Sequence, residues 1–506
     1  MAQPRTVLDI TLGGRSLSAA VAATVSLVLV RHALGVPAAA EIDFTQPDKN
    51  DFAAIRHDDD LVLRVGANPI PLFSGRIVAI EHNYDGANGR MARIRAFDLL
   101  YLAHRTCRLL ALENASAKTI AKQIAEGVGL TLPQAFPDLP TRSLVVQHGE
   151  SDLALLRRLA AEARLYPAVR DRTLHLFSLA GEGNDIPLRL GHELHSVHVR
   201  RSRETELPQI DVVGWDAATL ATYRRTLGAR DTSVAASVGA HEGGRFALDR
   251  LVHNDGQLAD IGQGMLDRAA AAAVTASGVC AGDPAVMPGA PVALTGLAGA
   301  PVALTGLAGD VGGRFVVTEA IHRIDAKSEY TTAFSTSPPP DLRPSAVPII
   351  TYGRVSSTND KEELGRCQVC LETFGGVQSG WLQVLVPGAG SGKGLTALPE
   401  VDDEVLIVLP DADPTRGFVL GGLYGRRRLP RGAAVHKTRP FVLRTADGQT
   451  LQLGGDPSIA RLSTSNGSLV ELTQDRMRVA AATDLVIEAP GRTMTIRAKT
   501  INFEQG

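Results

Sequence analysis

Aromatic side chains are scarce in this sequence: Phe, Trp and Tyr together make up 4% of its 506 residues. That scarcity excludes a few thick aromatic cores, and 50 glycines point instead to many small strands and turns. Cysteine is scarcer still. Cys107, Cys280, Cys367 and Cys370 are too few to staple a chain of this size, which favours assembly in a reducing compartment. Charge of one sign is missing as well. A formal net charge of −2 gives no electrostatic reason to expect nucleic acid or an anionic membrane as partner. No apolar run approaches the ~20 residues of a membrane span. The run at 19–30 follows Arg5 and Arg15 and precedes Ala38, Ala39 and Ala40, as in a cleaved leader. Asp9 in the would-be positive region and Arg31-His32 before the alanines break that pattern. Residues 6–12, 13–14 and 26–31 read instead as strand, turn and strand.

What is present is an ordinary globular composition, 44% hydrophobic and 21% charged, in a chain long enough for two to four domains. Residues 1–95 alternate in short apolar runs broken by Gly, Pro, Asp and Asn, which predicts strands. The period then changes. Residues 116–126 place Ile120 and Ile124 four apart, with Ser116 as N-cap and Gly127 as stop. Residues 150–164 predict a second helix capped by Ser151 or Asp152. Its apolar stripe is Leu155, Leu156, Leu159 and Ala163, with Arg157, Arg158, Glu162 and Arg164 mostly away from it. Strand 173–178 returns the chain to β, so 96–185 is an α/β portion within a β-rich region. Residues 190–345 are strand-like again, with an alanine-rich helix expected at 257–277. A tandem copy, PVALTGLAGA at 291–300 and PVALTGLAGD at 301–310, is too short for a solenoid and reads as a lengthened loop.

Five prolines within 335–348 mark a linker. The stretch 352–424 follows, with strands at 404–409 and 417–420 joined by a turn at 411–415 and closed by Gly421-Gly422. Several short strands with such turns predict a small barrel of the OB type. Residues 426–440 form a second, strongly basic linker. From Phe441 onward the chain reads as short strands with Gly or Asn-Gly turns, among them 485–491, 493–498 with Met494 and Ile496, and 501–503. This tail has no second layer to cover its apolar face, and such a ladder finds partners by oligomerising.

Particular residues of the barrel carry a resemblance. Gly353–Val355 begins as G-[KR]-V, Asn359-Asp360 and Gly365-Arg366 precede a strand, and Trp381 stands with Val384. Residues 399–405 read P-E-V-x-D-E-V, and 421–424 close as G-x-x-Y. These are similar to the barrel of the valine-glycine repeat spike proteins of contractile injection systems. Upstream, 147–165 resembles that family's Q-x-x-E-S-x-x-x-F-x-x-R-L-x-x-E signature, with Leu155 in place of Phe, and 313–325 resembles the last hub strand. The resemblance implies a mainly β chain with an α/β insertion. Residues 1–345 would be a phage hub-like domain of two similar β-barrels, 346–430 an OB-fold barrel, and 431–506 a linker and an intertwined trimeric β-prism.

It further implies a homotrimer whose hubs adapt a hexameric inner tube and baseplate to a threefold, membrane-piercing point. A PAAR-like tip-capping protein and cargo effectors are implied partners, and nucleic acid is not. The chain would be made in the bacterial cytoplasm without a signal peptide and assembled into a particle that is released or fired. The tail at 441–506 is short for the type VI secretion version, which favours an extracellular phage-tail-like particle or a phage tail.

No catalytic, cofactor or metal residue is expected. GAGSGK at 388–393 has Pro387 where a phosphate loop needs Gly, and Gly394 where it needs Ser or Thr. Cys367 and Cys370 lack a second pair and would point to opposite faces of a strand. His192, His195 and His198 would be split by a strand, and with no histidine after His436 a metal at the tip is not implied. Asp402, Asp403, Glu404, Asp411 and Asp413 read as solvated strand ends and turn caps. Residues 426–439 could meet an acidic surface or simply be solvated. Some phage needle proteins insert a lysozyme domain after the barrel, and the short link to the β-tail leaves no room for one. Two other classes compete. One is an OB module gripping oligosaccharide or single-stranded nucleic acid, for which Phe374, Trp381 and Phe418 are thin equipment. The other is a peptidoglycan hydrolase, for which no acid/base or nucleophile set is assembled.

Overall fold

A computed structural model describes residues 8–48, 52, 55–66, 68–86, 89–137, 139, 141–205, 207–216, 220–228, 245–252, 254–295, 314–325, 329–340, 348–390, 394–410, 413–425, 440–454 and 458–505. The second copy of the tandem duplication, residues 341–347 of the proline linker and the basic stretch 426–439 lie outside the described residues. By contact the chain divides into Met1–Gly422 and Leu423–Gly506.

The first unit is organised by one 11-stranded sheet. Its spatial order is Leu194–Arg201, Val274–Ala281, Glu329–Ser335, Glu319–Asp325, Val25–Ala33, Ala39–Thr45, Gly89–Phe97, Phe73–Asp85, Asp60–Val65, Leu8–Leu12 and Arg15–Ser16. Strand alternation decides which side is buried. In Asp60–Val65 the side chains of Leu61, Leu63 and Val65 are buried and the intervening ones are not. The seven strands from Val25–Ala33 onward cover a core of Val28, Val30, Ile42, Phe44, Leu63, Phe73 and Ile94. The four before it, with the small sheet Ile186–Arg189, Pro291–Thr295 and Arg314–Val316, cover Leu194, Cys280, Val292, Phe315 and Phe334. The two barrels expected in the hub are therefore two halves of one continuous sheet. The apolar run at 19–30 holds a short helix, Ala19–Ala22, and enters the strand Val25–Ala33 that joins the halves.

The α/β portion is inserted between those halves. Strands Cys107–Ser116 and Thr141–Ser151 pair with each other. Helices Ala117–Gly127 and Asp152–Glu162 pack over them, around Ile120, Ile124, Leu153, Leu155, Leu156 and Leu159. Both N-caps fall where the sequence places them: Ser116 Oγ accepts from Thr119 N–H and Ser151 Oγ from Ala154 N–H, at 3.1 and 3.2 Å. Gly127 is not the stop, since the helix includes it. The left-handed residue that ends the helix is Gly129 (φ 80°), whose N–H reaches Glu126 O while Leu130 N–H reaches Ala125 O. The arginines of the second helix are not simply solvated either. Arg157 donates to Gly35 O, and Arg158 bonds Glu150 and Val146 O.

The helix expected at 257–277 ends at Ala273. From Val274 the chain is a strand, paired with Leu194–Arg201 from its first residues and with Glu329–Ser335 from Ser277 onward, because β-branched Val274 and Thr275 meet an open ladder there. This helix lies on the sheet Thr222–Gly228, Gln209–Trp215 and Arg245–Leu251. Gly262 lets it approach, since a Cβ there would stand 2.4 Å from Leu227 and 2.6 Å from Val212.

The barrel is a six-stranded sheet in the order Val377–Gln378, Gln368–Leu371, Ile349–Ser357, Glu404–Leu409, Phe418–Leu423 and Gln383–Val384. Val355, Val369, Leu371, Phe374, Leu382, Val405, Ile407, Leu409 and Val419 fill it. Gly421 and Gly422 lie inside the last long strand and do not close it. In the second unit, five strands follow one another as an antiparallel meander: Phe441–Arg444, Thr450–Leu453, Ala460–Ser463, Leu469–Leu472 and Met477–Ala480. Among its described residues no hydrophobic side chain is buried. The strands expected at 485–491, 493–498 and 501–503 are absent from the single chain, and Ile487, Ile496 and Phe503 stand 67%, 64% and 91% exposed. Alternation alone does not make a strand without a neighbour to pair with.

Two buried histidines sit where the sheet halves meet. His32 and His322 occupy the adjoining strands, with ring centroids 5.8 Å apart in an edge arrangement. His322 Nδ1 lies 3.0 Å from both Tyr330 OH and Thr332 Oγ1, while neither Nε2 has a hydrogen-bond partner. Burial, above all, lowers His32 from 6.5 to about 4 and His322 to about 3. Asp98 moves the other way, raised by burial from 3.8 to about 7 although it accepts from Ala38 and Leu100 N–H. The fold thus keeps both imidazoles neutral while the unfolded chain protonates its histidines, so their contribution is complete above pH 6.5 and declines as pH falls toward 4. Asp98 contributes in the opposite sense over much of that range. With two groups against one, the expected outcome is a thermal midpoint that drops between pH 7 and 4, with a shallower drop in His32→Asn and His322→Gln. Thermal unfolding at stepped pH measures this.

Candidate functional site

The stretch that resembles the Q-x-x-E-S signature builds a joint between insertion and barrel. Strand Thr141–Ser151 alternates: Val145 and Gln147 face inward and are buried, whereas Val146 and His148 face the barrel. Gln147 Nε2 donates to Asp152 Oδ1 (2.8 Å) and to Glu150 O (3.0 Å), and Arg108 Nε reaches the same carboxylate at 3.0 Å. Asp152 is fully buried, so these donors replace the water it lost. Glu150 binds Arg158 at 2.6 Å and Ser151 caps the helix. Gln147, Glu150, Ser151 and Arg158 of the signature together fix the turn from strand to helix.

On the outer side, the His148 ring stacks on Phe374 with centroids 3.8 Å apart and planes at 18°, and its Nε2 lies 3.3 Å from Thr373 O. Phe374 ends a short 3-10 turn, Glu372–Phe374, and is itself 1% exposed. Gly375 then turns left-handed (φ 72°) under Leu109, whose Cδ2 would be 2.5 Å from any Cβ there. A second contact, Trp215 on Phe418, has centroids 5.7 Å apart. Val146 completes the join against the barrel core. Two aromatic stacks therefore lock the barrel to the hub, and they consume two of the three aromatics an OB binding face would need. The third, Trp381, is half-buried. Sequence reasoning missed His148, and the available signal was its alternation with Gln147 on a strand.

The barrel's own motif residues are structural. Asp360 takes Arg366 in a fork at 2.9 and 2.7 Å and also accepts from Glu362 and Leu364 N–H, at 3.2 and 3.1 Å. The Arg366 guanidinium holds the Asp360 carboxyl far below the usual carboxylate range. A Cβ on Gly353 would fall 2.5 Å from Val369 and 2.6 Å from Cys370 O, so only glycine fits beneath the neighbouring strand. Asp403 accepts from Glu400 N–H at 2.9 Å, and Asp402 is left-handed (φ 73°). Asp413 accepts from Thr415 N–H at 2.9 Å and pairs with Arg416. These acids shape turns, as expected, while Asp411 lies outside the described residues.

The other sequence candidates are not brought together. Gly388 is left-handed (φ 67°) and Leu395 N–H closes the loop onto Pro387 O, with no helix in the described residues 394–403; 391–393 lie outside them. Cys367 is buried, and Cys370 points away to Gly376 O at 3.4 Å. His192 sits in a turn; His195 falls in the register shift of Leu194–Arg201, and both it and His198 are exposed. Among the described residues no three His, Cys, Asp or Glu side chains are placed to share a metal ion.

Comparison with known proteins agrees with this architecture. Residues 351–424 match the family model described as the type VI secretion system/phage-baseplate injector OB domain. The fold is similar to that of a chain in the lidded PdpA–VgrG complex of Francisella, with TM-score 0.56, 10% identity, and 94% of this chain and 80% of that one covered. It is similar to the E. coli c3393 protein, a component of the type VI secretion system described as resembling T4 tail proteins gp27 and gp5 (TM-score 0.51, 15% identity, 79% and 96% covered). It is also similar to the 43 kDa tail protein of prophage MuSo2 from Shewanella oneidensis (TM-score 0.51, 12% identity, 65% and 97% covered). No curated protein sequence matches the chain. The hub-plus-OB fold of valine-glycine repeat and phage-tail spike proteins, expected from the barrel motifs, is the fold observed.

If the joint is as described, truncating Phe374 to Ala empties a core position and costs about 3–5 kcal/mol. His148→Ala costs less. In a double-mutant cycle the pair retains a coupling of about 0.5–1.5 kcal/mol, the usual worth of a stacked pair. Denaturant unfolding of the two single variants and the double variant reads all three values.

Proposed function

We propose that this chain is one protomer of a homotrimeric hub and spike at the tip of a contractile injection apparatus. The observation that carries the reading is the contrast between the two units. The first is the hub-plus-OB fold with filled cores, and the second is a β meander with no buried hydrophobic side chain among its described residues. Three such tails wound together would bury what one leaves bare. On this reading, 1–345 joins a hexameric inner tube and baseplate, 346–430 collars the spike, and 431–506 is the linker and piercing prism. The work comes from the contracting sheath, and the chain supplies stiffness, a change of symmetry and a point, without catalysis.

A PAAR-like tip protein and cargo effectors are its further proposed partners, and the target membrane is pierced mechanically. Assembly begins in the bacterial cytoplasm and ends in a particle released or fired from the cell. The match of 351–424 to an injector OB domain supports this reading. A nucleic-acid or oligosaccharide grip on the barrel is disfavoured by Phe374 and Phe418, whose rings are already stacked on hub side chains.

Native mass measurement of the full chain at micromolar concentration is expected to give a trimer; a well-folded monomer refutes it. Ile496→Ser and Phe503→Ser are each expected to weaken the trimer. Burying either side chain is worth roughly 1.5–3 kcal/mol per protomer, so the dissociation midpoint in denaturant moves to lower concentration.

A further inference from the structure

A cavity of about 320 Å³ opens on the hub where strand Gly89–Phe97 turns into helix Leu100–Arg105. Its volume is at the lower end of the range that holds ligands. Phe97 and Tyr101 form one wall, stacked with centroids 4.7 Å apart and planes at 18°. Arg105 stands over the Tyr101 ring at 5.9 Å, and Arg76 lines the cavity from strand Phe73–Asp85. Both guanidinium groups are on exposed residues, and neither makes an ion pair among the described residues. His57 adds a third nitrogen base at the rim.

Two irregularities of the backbone border the same space. The ladder between Phe73–Asp85 and Gly89–Phe97 slips between Ile77 and Ala79, so Val78, which lines the cavity, has no register partner on that side. Asp58, also in the lining, adopts φ 71°, a left-handed conformation uncommon for a residue with a side chain. Bulges and left-handed residues gather at binding sites, because a regular ladder has no place to admit a ligand. Asp98, at the base, accepts backbone N–H groups from Ala38 and Leu100, and burial raises it to about 7, so it offers an anion little repulsion below neutral pH.

We propose that this cavity binds an acidic peptide segment of a partner protein, with carboxylates on Arg76 and Arg105 and an apolar or aromatic side chain against Phe97 and Tyr101. The charge is complementary, since Arg76 and Arg105, without an ion pair among the described residues, outnumber the one exposed carboxylate of the lining, Asp58, and guanidinium groups fork carboxylates well. The ring wall gives the neighbouring side chain a surface to leave water. This inference is independent of the trimer, because every group it uses lies within one hub.

The test uses the full-length protein and a fluorescein-labelled peptide of alternating Glu and Phe, followed by fluorescence polarisation, with a Gln-for-Glu peptide and benzoate as comparisons. The Glu peptide is expected to bind, to weaken at least tenfold in R76Q/R105Q, and to weaken as salt rises. The thermal midpoint of that variant is expected to match the parent, since both arginines are exposed. Equal binding of the Glu and Gln peptides, unchanged binding by the double variant, benzoate binding as tightly as the peptide, or no binding at millimolar peptide would each overturn the proposal.

Discussion

The ladder between Val25–Ala33 and Glu319–Asp325 is the contact on which the hub depends. It runs from Ala33 opposite Glu319 to Leu27 opposite Asp325, joining strands almost three hundred positions apart in sequence. Without it the sheet separates into two curved pieces, each with an open edge and half a core. Closing so long a loop costs chain entropy, though only logarithmically in its length. The return comes from continuous hydrogen bonding and from two cores that share one wall. Burying His32 and His322 at this seam, with their Nε2 atoms unpartnered, carries a polar cost that the surrounding apolar packing must offset.

Everything between those strands hangs from the seam, and this explains how the barrel acquires a fixed position. The insertion leaves the first sheet half after Phe97, makes its own core, and returns before Ile186. Its strand Thr141–Ser151 therefore has two duties on its two faces. The inner face anchors Asp152 through Gln147 and Arg108; the outer face presents His148 to Phe374. A charged group buried with full hydrogen bonding is a poor source of stability but a strict one for geometry. Moving the Asp152 anchor would move the His148 ring, so a polar network in the insertion sets where the barrel's 3-10 turn sits.

Much of this was legible in local sequence, for identifiable reasons. Ser116 and Ser151 were readable as caps because capping is decided within four residues. Gly353, Asp360 and Arg366 were readable through the resemblance; Asp360 and Arg366 fix a turn beside themselves in sequence, whereas Gly353 answers to Val369 and Cys370 on the neighbouring strand. What escaped is what needs a distant partner. His32 and His322 look unremarkable in their own strands, and only the register that sets them side by side makes them a pair. Val274 and Thr275 sat in an alanine-rich stretch that favours helix, and lost to the open ladder of the distant strand Leu194–Arg201. That the hub's two halves share one sheet was equally invisible, since no local period records which strand lies at a sheet's centre.

The tail is the reverse case, in which local pattern and single-chain structure disagree. Met494 and Ile496 alternate as a strand should, yet they lie in chain without a ladder, 48% and 64% exposed. A strand's backbone groups and its apolar face both need neighbours, and residues 481–505 join no ladder among the described residues. The hub and barrel can fold on what they bury themselves; for the tail, stability is inseparable from association, and so from concentration. The same argument orders the events of assembly. In the proposed homotrimer, hubs and collars with complete cores would form first, and holding three of them together would raise the local concentration of three tails far above that in bulk. Only then does the alternation written into the last residues find its ladder, which lets a segment too poor in core to fold alone become the stiffest part of a proposed spike.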